Sequence, residues 1–422
     1  MMKRFLLLIL TVCLSGFWTV LMQAAVPDTI QIVTHKGITV VTDPSAGRKD
    51  YPAWGVFPDN QTEIRNITLR LRLACPDSMR CADWDYLDVI RLQRQGGKQS
   101  KPLDYELGRL ITPYGGFFGK SWYFEWEADV TEFSTLLRDS AEIVFTHTGY
   151  EANHDRGWQL TLSFEIVTGS PAAQILSTKE IWDDHYLFGD PGKPFHTQIK
   201  PYTYTPGPGV DFVRLRILQT GHGMDVPDNC AEFCSKTREI YVNDEVLDRR
   251  KVWKKCGDNP LYPQAGTWIF DRANWCPGDL VHAETWDFPV ETGRSYTIRL
   301  SMEPYESPQP SAHQVISAYL TEYTAPAASV DASITKVIVP SSKTLHSRRN
   351  PAGIQPIVRI RNMGSQTLSE VHITYGTRGF QSKTHVWKGK LPPFCQDTVY
   401  LPGPIDYSKG MNLFEVALDK PN

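Results

Sequence analysis

Apolar residues alternate with arginine along three short segments. Ile67–Leu73 reads Ile-Thr-Leu-Arg-Leu-Arg-Leu, Phe212–Leu218 reads Phe-Val-Arg-Leu-Arg-Ile-Leu, and Ile357–Arg361 reads Ile-Val-Arg-Ile-Arg. A period of two sends successive side chains to opposite faces of a strand, so each segment has an apolar face and a basic one. Similar runs bounded by Gly, Pro, Asn and Asp recur along the chain, and helical periodicity is almost absent after the first 25 residues. The chain is predicted to be all-β, and sandwiches, in which each sheet buries one face, follow from that pattern.

A chain of 422 residues exceeds what one core ordinarily serves, so two or three domains are expected. Residues 1–25 read as a signal peptide: Met-Met-Lys-Arg, an apolar run from Phe5 to Leu21, then Gln23-Ala24-Ala25. A membrane anchor is the alternative for the same run. Boundaries fall at Thr168–Pro171 and in the small-residue stretch Tyr323–Ser329. They divide the rest into residues 26–168, 169–325 and 326–422. The last piece reads as an immunoglobulin-like accessory module without an acidic cluster. In the first two, an Arg-bearing strand runs into a loop with two nearby cysteines and acids: Cys75 and Cys81 with Asp83 and Asp85, then Cys230 and Cys234 with Glu232. Two related sandwiches side by side would bring both acidic loops to one junction, a common place for a binding site.

Net charge is −3 and the isoelectric point is near 6.4, so no basic field exists to hold a polyanion, and nucleic acid is excluded as a partner. With Cys13 in the leader, the remaining cysteines are Cys75, Cys81, Cys230, Cys234, Cys256, Cys276 and Cys395. In an exported chain, close pairs read as disulfides, and three bridges with Cys395 free are expected. The four cysteines of the second piece fit zinc spacing only loosely, so disulfides are favoured over a metal site. The chain is expected in the periplasm, on the cell surface or secreted.

The chemistry concentrates in a few stretches. Cys75–Tyr86 carries Trp84 and Asp85, and a bridge from Cys75 to Cys81 would fix the backbone just before them. A carboxylate held near an indole and away from water is tuned towards proton transfer. The second piece supplies Gly221-His222-Gly223, the acidic loop Asn229–Cys234 and the segment Phe270–Gly278.

Taken in order, Cys-x5-Cys-x2-Trp-Asp, Cys-Ala-Glu-x-Cys and Asp-Arg-Ala-x-Trp-Cys-Pro-Gly, with Leu107–Tyr114 between the first two, resemble the peptide:N-glycosidase F family over residues 60–290. The resemblance implies two jelly-roll sandwiches with an active site in the cleft between them. It implies hydrolysis of the amide joining the innermost GlcNAc of an N-glycan to asparagine, without metal or cofactor, by a monomer acting on N-glycosylated proteins or glycopeptides. Carried over motif by motif, Asp85 falls on the principal catalytic acid and Glu232 on the carboxylate that supports it. Arg272 falls on an arginine that polarises the amide or holds a carboxylate. Cys75 with Cys81, Cys230 with Cys234 and Cys256 with Cys276 fall on the family's disulfides.

The chain departs from that pattern in places. His147 stands where the family has a third acid, so Glu151 or Asp155 is expected to reach in instead. Gly149, Gly115 and Thr220 stand where the family has large aromatics. Exchanging rings for small residues is expected to widen the cleft and admit a substituent such as an α1,3-linked core fucose. Trp84, Tyr114, Trp158 and Trp275 are candidate sugar platforms, since a pyranose presents an apolar face to an aromatic ring. His147, Glu151 and His222 are candidate substrate contacts. Two rival readings use the same residues: a glycan binder without chemistry, and a glycosidase built on Asp85 and Glu232.

Overall fold

The alternation at residues 67–73 has its expected consequence in the computed structural model, which describes residues 28–43, 45, 49–95, 102–149, 151, 155–349 and 355–422. Ile67, Leu69, Leu71 and Leu73 are fully buried. On the other face Arg70 pairs with Glu165 at 2.7 Å, and the Arg72 guanidinium lies 4.5 Å over the Tyr123 ring. Each buried leucine contributes about 2 kcal/mol from area removed from water. The expected signal peptide, residues 1–25, lies outside the described residues.

That strand, Ile64–Ala74, belongs to a sheet ordered Thr29–Val41, Arg156–Thr168, Ile64–Ala74, Tyr123–Asp129. Facing it is a sheet ordered Asp279–Leu280, Leu103–Ile111, Leu87–Arg94, Ser140–Thr146, Asp50–Val56. Fully buried Trp126, Trp158, Phe133, Phe145 and Phe164 help fill the space between them. A second sandwich pairs Ile175–Leu187, His313–Tyr323, Phe212–His222 and Glu284–Pro289 with Tyr202–Tyr204, Tyr296–Met302, Lys236–Val242 and Glu245–Val252. A third has two three-stranded sheets: Ala332–Val339, Ile357–Asn362 and Gln396–Tyr400 against Lys383–Leu391, Leu368–Thr377 and Phe414–Asp419. The fold is all-β.

The first two sandwiches interlock. Asp279–Leu280, far along the sequence of the second, adds an edge strand beside Ile111 and Leu110 of the first, and Leu261 and Leu280 pack in the first core. The strand Phe212–His222 is buried along nearly its whole length because one face meets its own core and the other meets the first sandwich. Its arginines are therefore not on a solvent face. Arg216 pairs with Glu132 of the first sandwich at 3.0 Å, and Arg214 lies between Glu132 and Asp287 at 3.3 and 2.7 Å. Arg109, 1% exposed and paired with Glu106 at 2.8 Å, donates to Thr220 Oγ1 and to the Val315 carbonyl across the junction. Removing one partner of such a buried pair costs about 3–5 kcal/mol.

Glu180 lies at the same junction. Burial first, and then the charge of Asp183, push its pKa up to about 7 from 4.5, against the opposing pull of Arg91. Between those values the folded protein keeps a proton that the unfolded chain has released, so stability falls as pH rises through this window. Glu180→Gln is therefore expected to melt at a higher temperature than the wild type above pH 7 and level with it below pH 4.5. Thermal unfolding at both pH values checks this.

Candidate active site

The acidic loops of the first two sandwiches meet around one guanidinium. Asp85 follows the Cys75–Cys81 disulfide, and Glu232 lies in the short helix Cys230–Phe233, which is closed by the Cys230–Cys234 disulfide. Arg272 lies near the end of a long loop tied by Cys256–Cys276. Its side chain is 1% exposed. Nε faces Glu232 Oε1 at 3.4 Å, and Nη2 stands 4.0 Å from Asp85 Oδ2. Nη1 donates to the carbonyls of Phe270 at 2.7 Å and Thr267 at 3.3 Å, and Nη2 to Thr267 and to Tyr114 Oη at 3.3 Å. With its three nitrogens engaged by the protein, Arg272 holds carboxylates in place and has no donor left over for a substrate carbonyl.

Tyr114 completes the bridge. Its hydroxyl donates to Asp85 Oδ2 at 2.7 Å while accepting from Arg272, so the ring expected to carry sugar orients the acid. Tyr114 is 5% exposed, whereas Trp84, edge-on to it at 6.2 Å, is 47% exposed and forms the open aromatic surface beside Asp85. Burial raises the Asp85 pKa above the ordinary carboxylate range, opposed by the Tyr114 hydroxyl and the Arg272 charge. Burial likewise lifts Glu232 to about 7, although the Gly223 amide and Arg272 favour its ionised form. The two acids thus sit on either side of one positive charge, and Glu232 is poised to titrate near neutrality.

Gly223 was legible in the sequence only as a neighbour of His222. Its N–H donates to Glu232 Oε2 at 3.2 Å. Its φ of +109° suits glycine, and an added Cβ would meet Ala312 at 2.9 Å. His222 is half-buried, shares a 2.7 Å hydrogen bond with Thr220 and stacks on Trp275 at 5.0 Å. Burial first, and then nearby Arg109, His185 and His313, hold its pKa well below the usual value, so it is neutral near pH 7.

Expectations for five residues are corrected. Trp275 is 2% exposed: its ring lies 4.9 Å behind the Arg272 guanidinium and its N–H donates to the Gly221 carbonyl, which leaves no face for a sugar. Trp158 is fully buried in the first core. His147 is 3% exposed and turned to Asp88, with Nδ1 2.8 Å from Oδ1 and its ring edge-on to Tyr86, so it is buried away from a substrate rather than in contact with one. Glu151 is engaged by the Tyr86 hydroxyl and by Arg156, which also holds Asp83, and is bound within the first sandwich. Asp155 pairs with Arg80 and Arg156 on the surface. The cysteines weighed for zinc are joined as disulfides, and among the described residues no group of three or more His, Cys, Asp or Glu is set to hold a metal.

Residues 192–321, which carry Glu232 and Arg272, match the sequence profile of the family described as "Peptide-N-glycosidase F, C terminal". This segment is similar to a peptide-N-glycosidase F C-terminal domain. The chain is 29% identical over 238 residues to peptide-N(4)-(N-acetyl-beta-D-glucosaminyl)asparagine amidase F of Elizabethkingia miricola, an alignment that covers 53% of the chain and 64% of that relative. It thus spans a little under two thirds of the relative's length. Among solved structures, a peptide-N(4)-(N-acetyl-beta-D-glucosaminyl)asparagine amidase superposes with a TM-score of 0.60 at 22% identity, over 70% of this chain and 96% of the other. A structure titled PNGF-II gives 0.54 at 16% identity, over 70% and 65%. At these identities the superpositions show a shared fold.

The small residues that set this chain apart from the peptide-N-glycosidase F pattern do not leave openings. A Cβ at Gly115 would strike the Ala82 carbonyl at 2.6 Å and the Trp158 ring at 2.7 Å. At Gly149 it would collide with the Thr42 carbonyl. Thr220 is fully buried and its hydroxyl accepts from Arg109. Neighbouring atoms of this chain occupy the space, so the expected widening of the cleft at these positions is not found.

Proposed function

We propose that the chain hydrolyses the amide between the innermost GlcNAc of an N-glycan and asparagine in glycoproteins or glycopeptides. The observation that carries this reading is the Asp85–Arg272–Glu232 arrangement, with the acids on disulfide-closed loops of two sandwiches and one buried guanidinium between them. Asp85 takes a proton from water as the water oxygen bonds to the amide carbon. The C–N bond then breaks, and Asp85 returns the proton to the departing nitrogen. The products are aspartate and a glycosylamine, which later loses ammonia. Glu232, ionised, accepts the second water hydrogen and fixes the direction of attack. The exposed face of Trp84 receives the sugar.

Export through residues 1–25 and action as a monomer belong to the same proposal, and the three disulfides support the export. Tolerance of an α1,3-linked core fucose loses the support of the small residues, and comparing release from glycopeptides with and without that fucose tests it separately.

The test is incubation with a glycopeptide and weighing of the peptide. Asparagine converted to aspartate is the expected result. Asparagine retaining GlcNAc would make the chain a glycosidase, and no change on any glycan class would favour a binder. Protonation of Glu232 removes its acceptor role, so kcat/KM is expected to fall as pH drops through about 7. In Glu232→Gln, residual activity should lack that inflection, and a wild-type-like pH profile in the variant would sink the assignment.

A further inference from the structure

The loop that carries Arg272 also makes the wall behind Tyr114, and it is gripped from outside by the third sandwich. Gln264 Oε1 accepts the Tyr114 amide at 3.1 Å, and the Ala265 amide donates to the Tyr114 carbonyl at 3.1 Å. Gln264 is tied in turn to the carbonyls of Leu261 and Pro277 at 3.0 and 2.9 Å. Asn259, 2% exposed, donates to the Pro277 carbonyl at 2.6 Å and accepts the Leu261 amide at 3.0 Å. The start of this loop thus sets the position of Tyr114, and through its hydroxyl that of Asp85.

Between the first two strands of the third sandwich, the helical turn Thr344–Arg349 crosses to the catalytic pair of sandwiches. Lys343 pairs with Glu127 at 2.7 Å, Thr344 Oγ1 accepts the Glu125 amide at 3.0 Å, and Leu345 packs against the first core. Arg348, exposed at the surface, then reaches the loop. Its Nη1 donates to the carbonyls of Gly257 at 2.7 Å and Asn259 at 2.8 Å, and its guanidinium lies 4.1 Å over the Tyr262 ring. Two charge-assisted bonds and a cation–π contact from one side chain fix a turn that has no regular sheet to hold it.

We propose that Arg348 is a positioning residue for the active site: by pinning the Gly257–Asn259 turn it keeps the loop in the register that holds Tyr114 against Asp85. This rests on the reading of Asp85 as the acid of an amidase. The third sandwich is then a strut for the catalytic cleft rather than a separately tethered module.

Hydrogen exchange and steady-state kinetics on the full-length chain test it with Arg348→Ala. Arg378→Ala serves as control, since Arg378 pairs with Glu415 at the surface of the third sandwich. Amides between Gly257 and Ala265 are expected to exchange faster in Arg348→Ala and at the wild-type rate in the control. The same variant should lose about tenfold in kcat with KM within about twofold of the wild type, because misplacing the acid slows chemistry more than sugar binding. Unchanged exchange at Gly257–Ala265 overturns the clamp. Faster exchange with unaltered kcat, or with the loss confined to KM, overturns its link to Asp85. If the wild type releases no glycan, the amidase reading fails and exchange alone decides whether the clamp exists.

Discussion

Asp85→Asn is expected to fold as the wild type does and to lose glycan release by about a thousandfold or more in kcat/KM, the range for removing a positioned acid–base group. Asparagine keeps the shape of the side chain, and its amide oxygen can still accept the Tyr114 hydroxyl that now lies 2.7 Å from Oδ2. It removes a carboxylate whose burial already raises its pKa. The variant should therefore melt at or slightly above the wild-type temperature at neutral pH. Release is read by the mass of a glycopeptide after incubation, and folding by thermal unfolding. Wild-type release rates in this variant would end the assignment of Asp85, whereas a large fall in melting temperature would mean that the carboxylate holds the fold rather than the chemistry.

Period-two patterning made the strands legible because each strand in a sandwich buries one face, and Ile67, Leu69, Leu71 and Leu73 follow it fully. The same pattern at residues 212–218 was legible as a strand but not as the strand that joins two sandwiches. Alternation records which side chains share a face, not what covers that face. Arg214 and Arg216 are buried because Glu132 arrives from the first sandwich, across more than 80 residues of chain.

The site was legible to the extent that its acids lie in short cysteine-closed loops with a distinctive order of residue types. Asp85, Glu232 and Arg272 do converge. What stayed hidden was the division of labour around them. Tyr114 and Trp275 look alike as aromatic residues within motifs, yet one bonds the acid and the other backs the guanidinium. The small residues at 115 and 149 read as vacant space because a sequence shows what a position lacks, not which neighbour fills it. Here the fillers are the Trp158 ring and the Thr42 carbonyl. The grip of Arg348 on the Gly257–Asn259 turn depends on packing between sandwiches, which no local pattern encodes.

Arg272→Met is expected to have the largest combined effect on stability and activity. Methionine replaces some of the stem's volume but none of the charge, which leaves Glu232 and Asp85 facing one another without the guanidinium between them. The Phe270 carbonyl loses the 2.7 Å bond it accepts, and Thr267 loses the three it accepts, two at its carbonyl and one at Oγ1. Breaking a buried ionic network from one side costs about 3–5 kcal/mol, largely through the charge left unpaired. The pH dependence follows from the same contacts. Arg272 lowers the pKa of both acids, so removing it raises both further in the folded state and leaves the unfolded state unchanged. A raised folded pKa favours the fold at low pH, and that contribution is lost as pH climbs through it. Denaturant unfolding should therefore find Arg272→Met far less stable than the wild type above pH 7 and closer to it near pH 5, with glycan release absent at both. Arg272→Lys should recover part of the stability, because a single ammonium restores the charge, and little of the activity, because it cannot span Glu232, Tyr114 and the Phe270 carbonyl together. An equal stability deficit at both pH values would show that Arg272 acts through packing against Trp275 and Phe233, and that the two carboxylates do not depend on its charge.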